Sequence, residues 1–166
     1  MTSVTLVIRR LQPDDRAWLE PALREHTAGP SIVSRGRLHN GLALPGLVAV
    51  HDGAVAGVAL YDLGAEGCEV VFLAALLDDV GAGSALLGAV GELARTAGRR
   101  RAWLVTTNDN TNAIRFYQRQ GWDLVAVHHD AVDDSRKLKP SIPRTGHDGI
   151  PVRHELEFEL RLLPNR

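Results

Sequence analysis

Between Glu69 and Trp122 the chain runs EVVFLAALLDDVGAGSALLGAVGELARTAGRRRAWLVTTNDNTNAIRFYQRQGW, which reads as strand, glycine turn, helix, strand and helix. From Glu69 to Leu76 the run VVFLAAL has no polar alternation, which fits a central strand covered on both faces. Gly81-Ala82-Gly83 then opens a helix to about Ala97, with Leu86, Val90, Leu93 and Ala97 on one stripe and Gly98 placed to end it. Ala102 to Thr106 is the next buried strand. After it, Asn108, Asp109 and Asn110 are each competent to cap a helix that ends at Gly121.

The remaining chain has to supply the neighbours of that central strand. Thr5 to Arg10 reads as a first strand, and Pro13-Asp14-Asp15 starts a helix whose Trp18, Leu19, Ala22 and Leu23 share one face. From Thr27 to Pro45 turn formers dominate, so a loop with a short helix is expected. Leu47 to Val50 and Ala54 to Tyr61 flank Asp52-Gly53, a strong hairpin signal. Trp122 to Val127 is a further strand. Between Val132 and Pro151 the prolines 140, 143 and 151 forbid a long helix and mark an extended loop or arm. In HELEFELRL, Leu156, Phe158, Leu160 and Leu162 face one way while Glu155, Glu157, Glu159 and Arg161 face the other.

Composition narrows the function classes. At 166 residues the chain has length for one core of ordinary size, so residues 1–166 are expected to form a single domain. With 45% hydrophobic residues and a net charge of -1, it is not a disordered chain and has no basic field for nucleic acid. The start MTSVTLVIRRLQPDD lacks a signal-peptide pattern and no apolar run suffices to span a bilayer, so a cytoplasmic protein without a membrane partner is expected. Cys68 is the only cysteine, which excludes an internal disulfide and reads as packing. The seven histidines show no helical or CxxC-type spacing, so no metal site is expected.

A buried strand that ends in glycines and runs directly into a helix amino terminus is an anion site, because free N–H groups and the helix dipole point at the same place. Here that argument uses Gly81, Ala82, Gly83, Ser84 and Ala85; a tight packing turn is the other reading. No GK[ST] follows the glycines, which excludes a P-loop. Leu86 stands where GxGxxG has its third glycine, and hairpin strands precede it, which argues against a nicotinamide site.

Asp78-Asp79-Val80-Gly81-Ala82-Gly83 looks like the Q/R-x-x-G-x-G/A turn of the GCN5-related N-acetyltransferases, the GNAT family. Asn110, Ala113, Phe116 and Tyr117, followed by Gly121-Trp122, are similar to that family's second motif, N-x-x-A-x-x-F/L-Y and then G-F/W. The resemblance extends over nearly the whole chain. It implies a mixed α/β fold: a central, mostly antiparallel mixed sheet of about seven strands flanked by about four helices. It departs from the pattern at Asp78, where the family has glutamine or arginine; two carboxylates beside a pyrophosphate should repel it unless they point to solvent or bond the turn.

The resemblance also implies an acetyl-CoA site. Backbone groups of Leu73, Ala74 and Ala75 would receive the pantetheine arm and thioester, Gly81 to Ala85 the pyrophosphate, and Asn110 a further part of the cofactor. Tyr117 would stand near the sulfur as general acid, the other reading being a core aromatic. Glu69 is a candidate base for the amine, with His128 and His129 as the alternatives. Ser34, Arg35, Arg37 and His39 concentrate in the early loop and are candidate substrate contacts. The expected acceptor is a small-molecule or peptide amine. A catalytically silent acyl-CoA-binding sensor or subunit, a longer acyl donor and a homodimer all stay open.

Overall fold

The computed structural model describes residues 5–163; the first four residues of the start in which no leader was read lie outside them. The strands are β1 (Leu6–Arg10), β2 (Ser31–Ser34), β3 (Arg37–Asn40), β4 (Gly46–His51), β5 (Ala54–Leu63), β6 (Cys68–Ala75), β7 (Arg101–Thr107), β8 (Asp123–His128) and β9 (Glu155–Arg161). The helices are α1 (Arg16–Thr27), α2 (Ala82–Thr96), α3 (Thr111–Arg119) and α4 (Ala131–Leu138). Seven strands form one sheet in the order β1-β4-β5-β6-β7-β9-β8, antiparallel everywhere except between β6 and β7. This is the mixed, mostly antiparallel sheet expected from sequence.

Each face of the sheet is covered by helices chosen by their apolar stripes. On one face α2 lays Leu86, Leu87, Val90 and Ala94 against Ala49, Ala59, Val70, Ala102 and Phe158, all buried, with Phe116 and Tyr117 of α3 packed at the margin. On the other, Leu19 and Leu23 of α1 and Ile32 of β2 pack on Val58, Leu60, Phe72 and Ala74. Cys68 is fully buried in the first cluster, where burial pushes its thiol up to about 11, so it is an inert packing group at neutral pH. Asp15 anchors the opposite end of α1. Its carboxylate takes both guanidinium nitrogens of Arg9 at 2.7 and 2.8 Å, the Gln12 amide and the Trp18 indole. Those donors, Arg9 foremost, hold it well below the usual carboxylate range.

Two expectations are corrected. Residues 27–45 hold no helix beyond the last residue of α1; the β2–β3 hairpin stands there, paired from Ser31↔Asn40 to Ser34↔Arg37. Its two-residue turn places Arg35 at φ 47 and Gly36 at φ 75, the doubly positive geometry that matches strand twist. The segment 132–151 is not extended throughout: it begins within α4, with Asp133 and Asp134 in the first turn, Arg136 and Lys137 in the last, and Pro140 beyond its end. The stretch after α4 is tied down by Arg136, whose guanidinium donates to the carbonyls of Pro143 at 2.9 Å and Val152 at 2.7 Å. Asn108 and Asp109 fasten the same stretch, receiving the amides of Arg153, His154 and His147, so only Asn110 is left to cap α3.

Candidate active site

The sheet parts at its centre. β6 and β7 pair only at Cys68↔Ala102 and Glu69↔Trp103, although β6 continues to Ala75 and β7 to Thr107. A bulge helps to separate them: Tyr61 pairs with Val70 and Leu60 with Phe72, leaving Val71 without a partner across β5. Beyond Glu69, one edge of β6 therefore has no strand beside it. Its backbone groups on that side are available to a ligand.

The start of α2 faces this gap. Gly81 takes φ 76 at the residue before the helix, a conformation that costs glycine nothing. Ala85 is the first residue whose amide is used, donating to the Gly81 carbonyl at 3.1 Å. The amides of Ala82, Gly83 and Ser84 bond to no group among the described residues, and they sit at the positive end of the helix dipole. A Cβ on Gly83 would stand 3.1 Å from Cζ of Phe116, so glycine is what lets α2 and α3 close on this point.

Between the parted strands and the two helices lies a cleft of about 690 Å³. It is lined by Leu73, Ala74, Ala75, Gly81, Ala82, Gly83, Ser84, Asn110 and Tyr117, among others, and thus gathers eight of the nine residues assigned to the cofactor on sequence together with the tyrosine. Ala85 is the exception: its amide is inside the helix ladder and it lines no part of the cleft. Asn110 spends its side-chain oxygen on the Ala113 amide at 3.3 Å, which caps α3. Tyr117 packs edge-on or tilted against Phe116, Trp122 and Phe158, while its hydroxyl bonds to nothing among the described residues. Burial pushes that phenol up to about 12, so it carries its proton at neutral pH. Asp78 and Asp79 also line the cleft, and the departure noted in the sequence is real in space.

A second cavity, about 450 Å³, opens beside the first and shares His26 of α1 with it. Its wall includes Glu25, His26, Thr106 and Thr107 at the end of β7, Lys139 and Glu155. Lys139 is committed to the wall itself, donating to the carbonyls of Thr27 and Ser31. His26 makes an edge contact with Phe72, ring centres 6.0 Å apart, and its ring nitrogens bond to no described residue. Neither His26 nor Glu155 carried a sequence signal of function. Both matter only because the fold puts them beside the gap.

The remaining sequence candidates gather elsewhere, under the β2–β3 hairpin. The Ser34 hydroxyl donates to Glu69, and both are buried. Arg35 reaches Glu155, and Arg37 reaches Asp62 at 3.1 Å. Nε2 of buried His39 lies 3.7 Å from Glu69, too far for a hydrogen bond. Burial raises the Glu69 carboxyl and lowers the His39 imidazolium. Glu69 and the four hairpin residues line neither cavity. His128, the alternative base, is held by Glu157 at 2.9 Å, and His129 by Asp130. A larger groove at the other end of the sheet is rich in arginine, but Arg95, Arg99 and Arg101 are each bonded to acids or carbonyls of the chain.

A mixed sheet parted at its centre, with unbonded helix amides and a partly buried tyrosine at the opening, forms a site for an extended ligand that carries an anionic group. Comparison with known proteins gives the class. The model of the acetyltransferase (GNAT) family matches residues 10–122, and the chain belongs to that family. It is 37% identical over 135 residues to the uncharacterized protein YdhI of Bacillus subtilis (strain 168), which covers 81% of this chain and 84% of that one. Among solved structures, the fold is shared with the ribosomal-protein-S18-alanine N-acetyltransferase of Escherichia coli at a TM-score of 0.69 and 15% identity, over 98% of this chain and 97% of the other. It is shared too with a GNAT family acetyltransferase from Elizabethkingia anophelis with acetyl-CoA bound, at a TM-score of 0.67 and 16% identity, over 95% and 98%. Among the described residues no helix is long and apolar enough to cross a membrane.

Proposed function

We propose that the chain, as a single acetyltransferase domain, moves the acetyl group of acetyl-CoA directly to an amine. The observation that carries this reading is one cleft holding the free amides of Ala82, Gly83 and Ser84, the unpaired edge of β6 and the unbonded hydroxyl of Tyr117. The pyrophosphate lies on the helix amides, and the pantetheine runs along Leu73, Ala74 and Ala75. The thioester then falls beside Tyr117. The acceptor enters from the second cavity, where the Glu25 carboxylate suits a cationic amine.

In the transfer, the free amine attacks the thioester carbon, a C–N bond forms and the C–S bond breaks. His26, on the wall of both cavities, takes the proton that the nitrogen loses. Tyr117 donates to the departing sulfur, and because its proton is held tightly, hydrogen bonding to the thiolate is the larger part of its effect. Glu69, the base expected on sequence, faces neither cavity and is left to the hairpin.

One rival is an acyl-CoA-binding module without turnover, favoured by the position of Glu69, the carboxylate expected as base, outside both cavities. Following CoA release against a panel of small amines and peptides, with acetyl-CoA binding measured alongside by calorimetry, separates the readings. Release that depends on one class of amine supports the transferase. Tight acetyl-CoA binding without release on any member favours the module, and absence of binding removes both.

A further inference from the structure

We propose that His39, Asp62 and Glu69 form a site for a divalent transition-metal ion of the Zn2+ type beneath the β2–β3 hairpin. The three residues come from three strands, β3, β5 and β6, and their ligand atoms all lie within 4.8 Å of one another. Two are deeply buried, His39 at 6% exposure and Glu69 at 3%. Among the described residues, Nε2 of His39 is the buried side-chain nitrogen or oxygen that has no hydrogen-bond partner, and it is aimed at the Glu69 carboxylate 3.7 Å away. A buried polar atom without a partner is costly, and here it looks onto carboxylate oxygens with no donor between them. A cation at that point would give the unpartnered nitrogen a ligand role beside the two carboxylates.

The chemistry of the donors selects the ion. A tetrahedral Zn2+ with bonds near 2.1 Å holds its ligand atoms about 3.4 Å apart, close to the His39–Glu69 separation. One imidazole with two carboxylates and no thiolate suits Zn2+ better than Mg2+, Ca2+ or a cuprous ion. The outer partners are already in place: the Ser34 hydroxyl holds Glu69 and Arg37 holds Asp62, as second contacts commonly orient metal ligands. The ion would pin the hairpin to β5 and β6 beside the point where β6 leaves β7. Positions 39, 62 and 69 form no local motif, so spacing along the chain gives no sign of the site. This inference does not rest on the transferase reading.

An exposed group, His129, Asp130 and His154, could also take a metal, so the test uses the full chain carrying His129→Asn. After dialysis against a chelator, Zn2+ is titrated by calorimetry and the melting temperature is followed. One Zn2+ per chain and a raised melting temperature are expected, with affinity falling at least about tenfold in both His39→Asn and Asp62→Asn. Asp62 is partly exposed, so its variant keeps the test open should the His39 variant fail to fold. No stoichiometric binding, or binding unchanged in Asp62→Asn and in a folded His39→Asn, overturns the site. Binding seen only when His129 is restored assigns the ion to the surface and also overturns it.

Discussion

Arg35 grips Glu155 twice, 120 residues along the chain: its backbone amide donates to Oε2 and its guanidinium to Oε1, both at 3.2 Å. The tip of the β2–β3 hairpin thereby reaches the β9 side of the gap, while Ser34, the residue before it, is bonded to Glu69 on β6. The hairpin bridges the two halves of the parted sheet. Replacing Glu155 by alanine removes the far anchor and should cost about 2 kcal/mol of stability, since charge-assisted bonds to a buried carboxylate are lost. Amide exchange read by mass spectrometry should speed up in residues 31–40 and hardly change in α2. Uniform acceleration across the chain would mean that Glu155 supports the whole fold and not the hairpin.

Tyr117 offers the sharpest test of chemistry. Tyr117→Phe keeps the ring contacts with Phe116, Trp122 and Phe158 and deletes only the hydroxyl. Turnover should fall roughly a hundredfold while acetyl-CoA affinity stays within about twofold, the pattern of an interaction made in the transition state. Equal losses in affinity and turnover would make the tyrosine a binding group.

The carboxylates at the cleft predict an unusual gain. Replacing Asp78 by asparagine removes one negative charge from the wall that receives the pyrophosphate and should tighten acetyl-CoA by about threefold to tenfold at low salt. The gain should shrink as salt is added. Calorimetry at two ionic strengths measures it, and unchanged affinity at both would show that Asp78 turns to solvent when the donor binds.

Asp15 ties folding to pH. Its carboxyl is held low in the folded state, chiefly by Arg9, so the stability it contributes is fully present above the unfolded-state value and is lost as pH falls through the folded one. Denaturant melts should show stability declining below about pH 4. Asp15→Asn should cost about 2 kcal/mol at neutral pH, discounted for the partial exposure of Arg9, and should flatten part of the acid decline. A variant as stable as the parent at neutral pH would contradict the assignment.

What the sequence disclosed follows from how local each signal is. The central strand, the glycine turn and the capped helix α3 rest on patterns within about ten residues, and all three are where they were read. The β2–β3 hairpin was hidden because its turn opens with Arg35 at positive φ, where asparagine, aspartate or glycine would have announced it. Helix α4 was masked by prolines that all lie beyond its end. The cofactor cleft could be read because its residues sit on two consecutive strand-to-helix connections. His26 and Glu155 could not, since α1 and β9 lie far apart in the chain and meet only at the wall of the second cavity.

The most direct test of the donor site is an acetyl-CoA titration of 15N-labelled protein followed by amide chemical shifts. The amides of Ala82, Gly83 and Ser84 should move most, as free donors that acquire phosphate oxygens, with further shifts along Leu73 to Ala75 and near Tyr117. Amides of the arginine groove from Arg99 to Arg101 should stay still. Shifts concentrated in that groove, with the start of α2 unmoved, would contradict the placement of acetyl-CoA in the parted sheet.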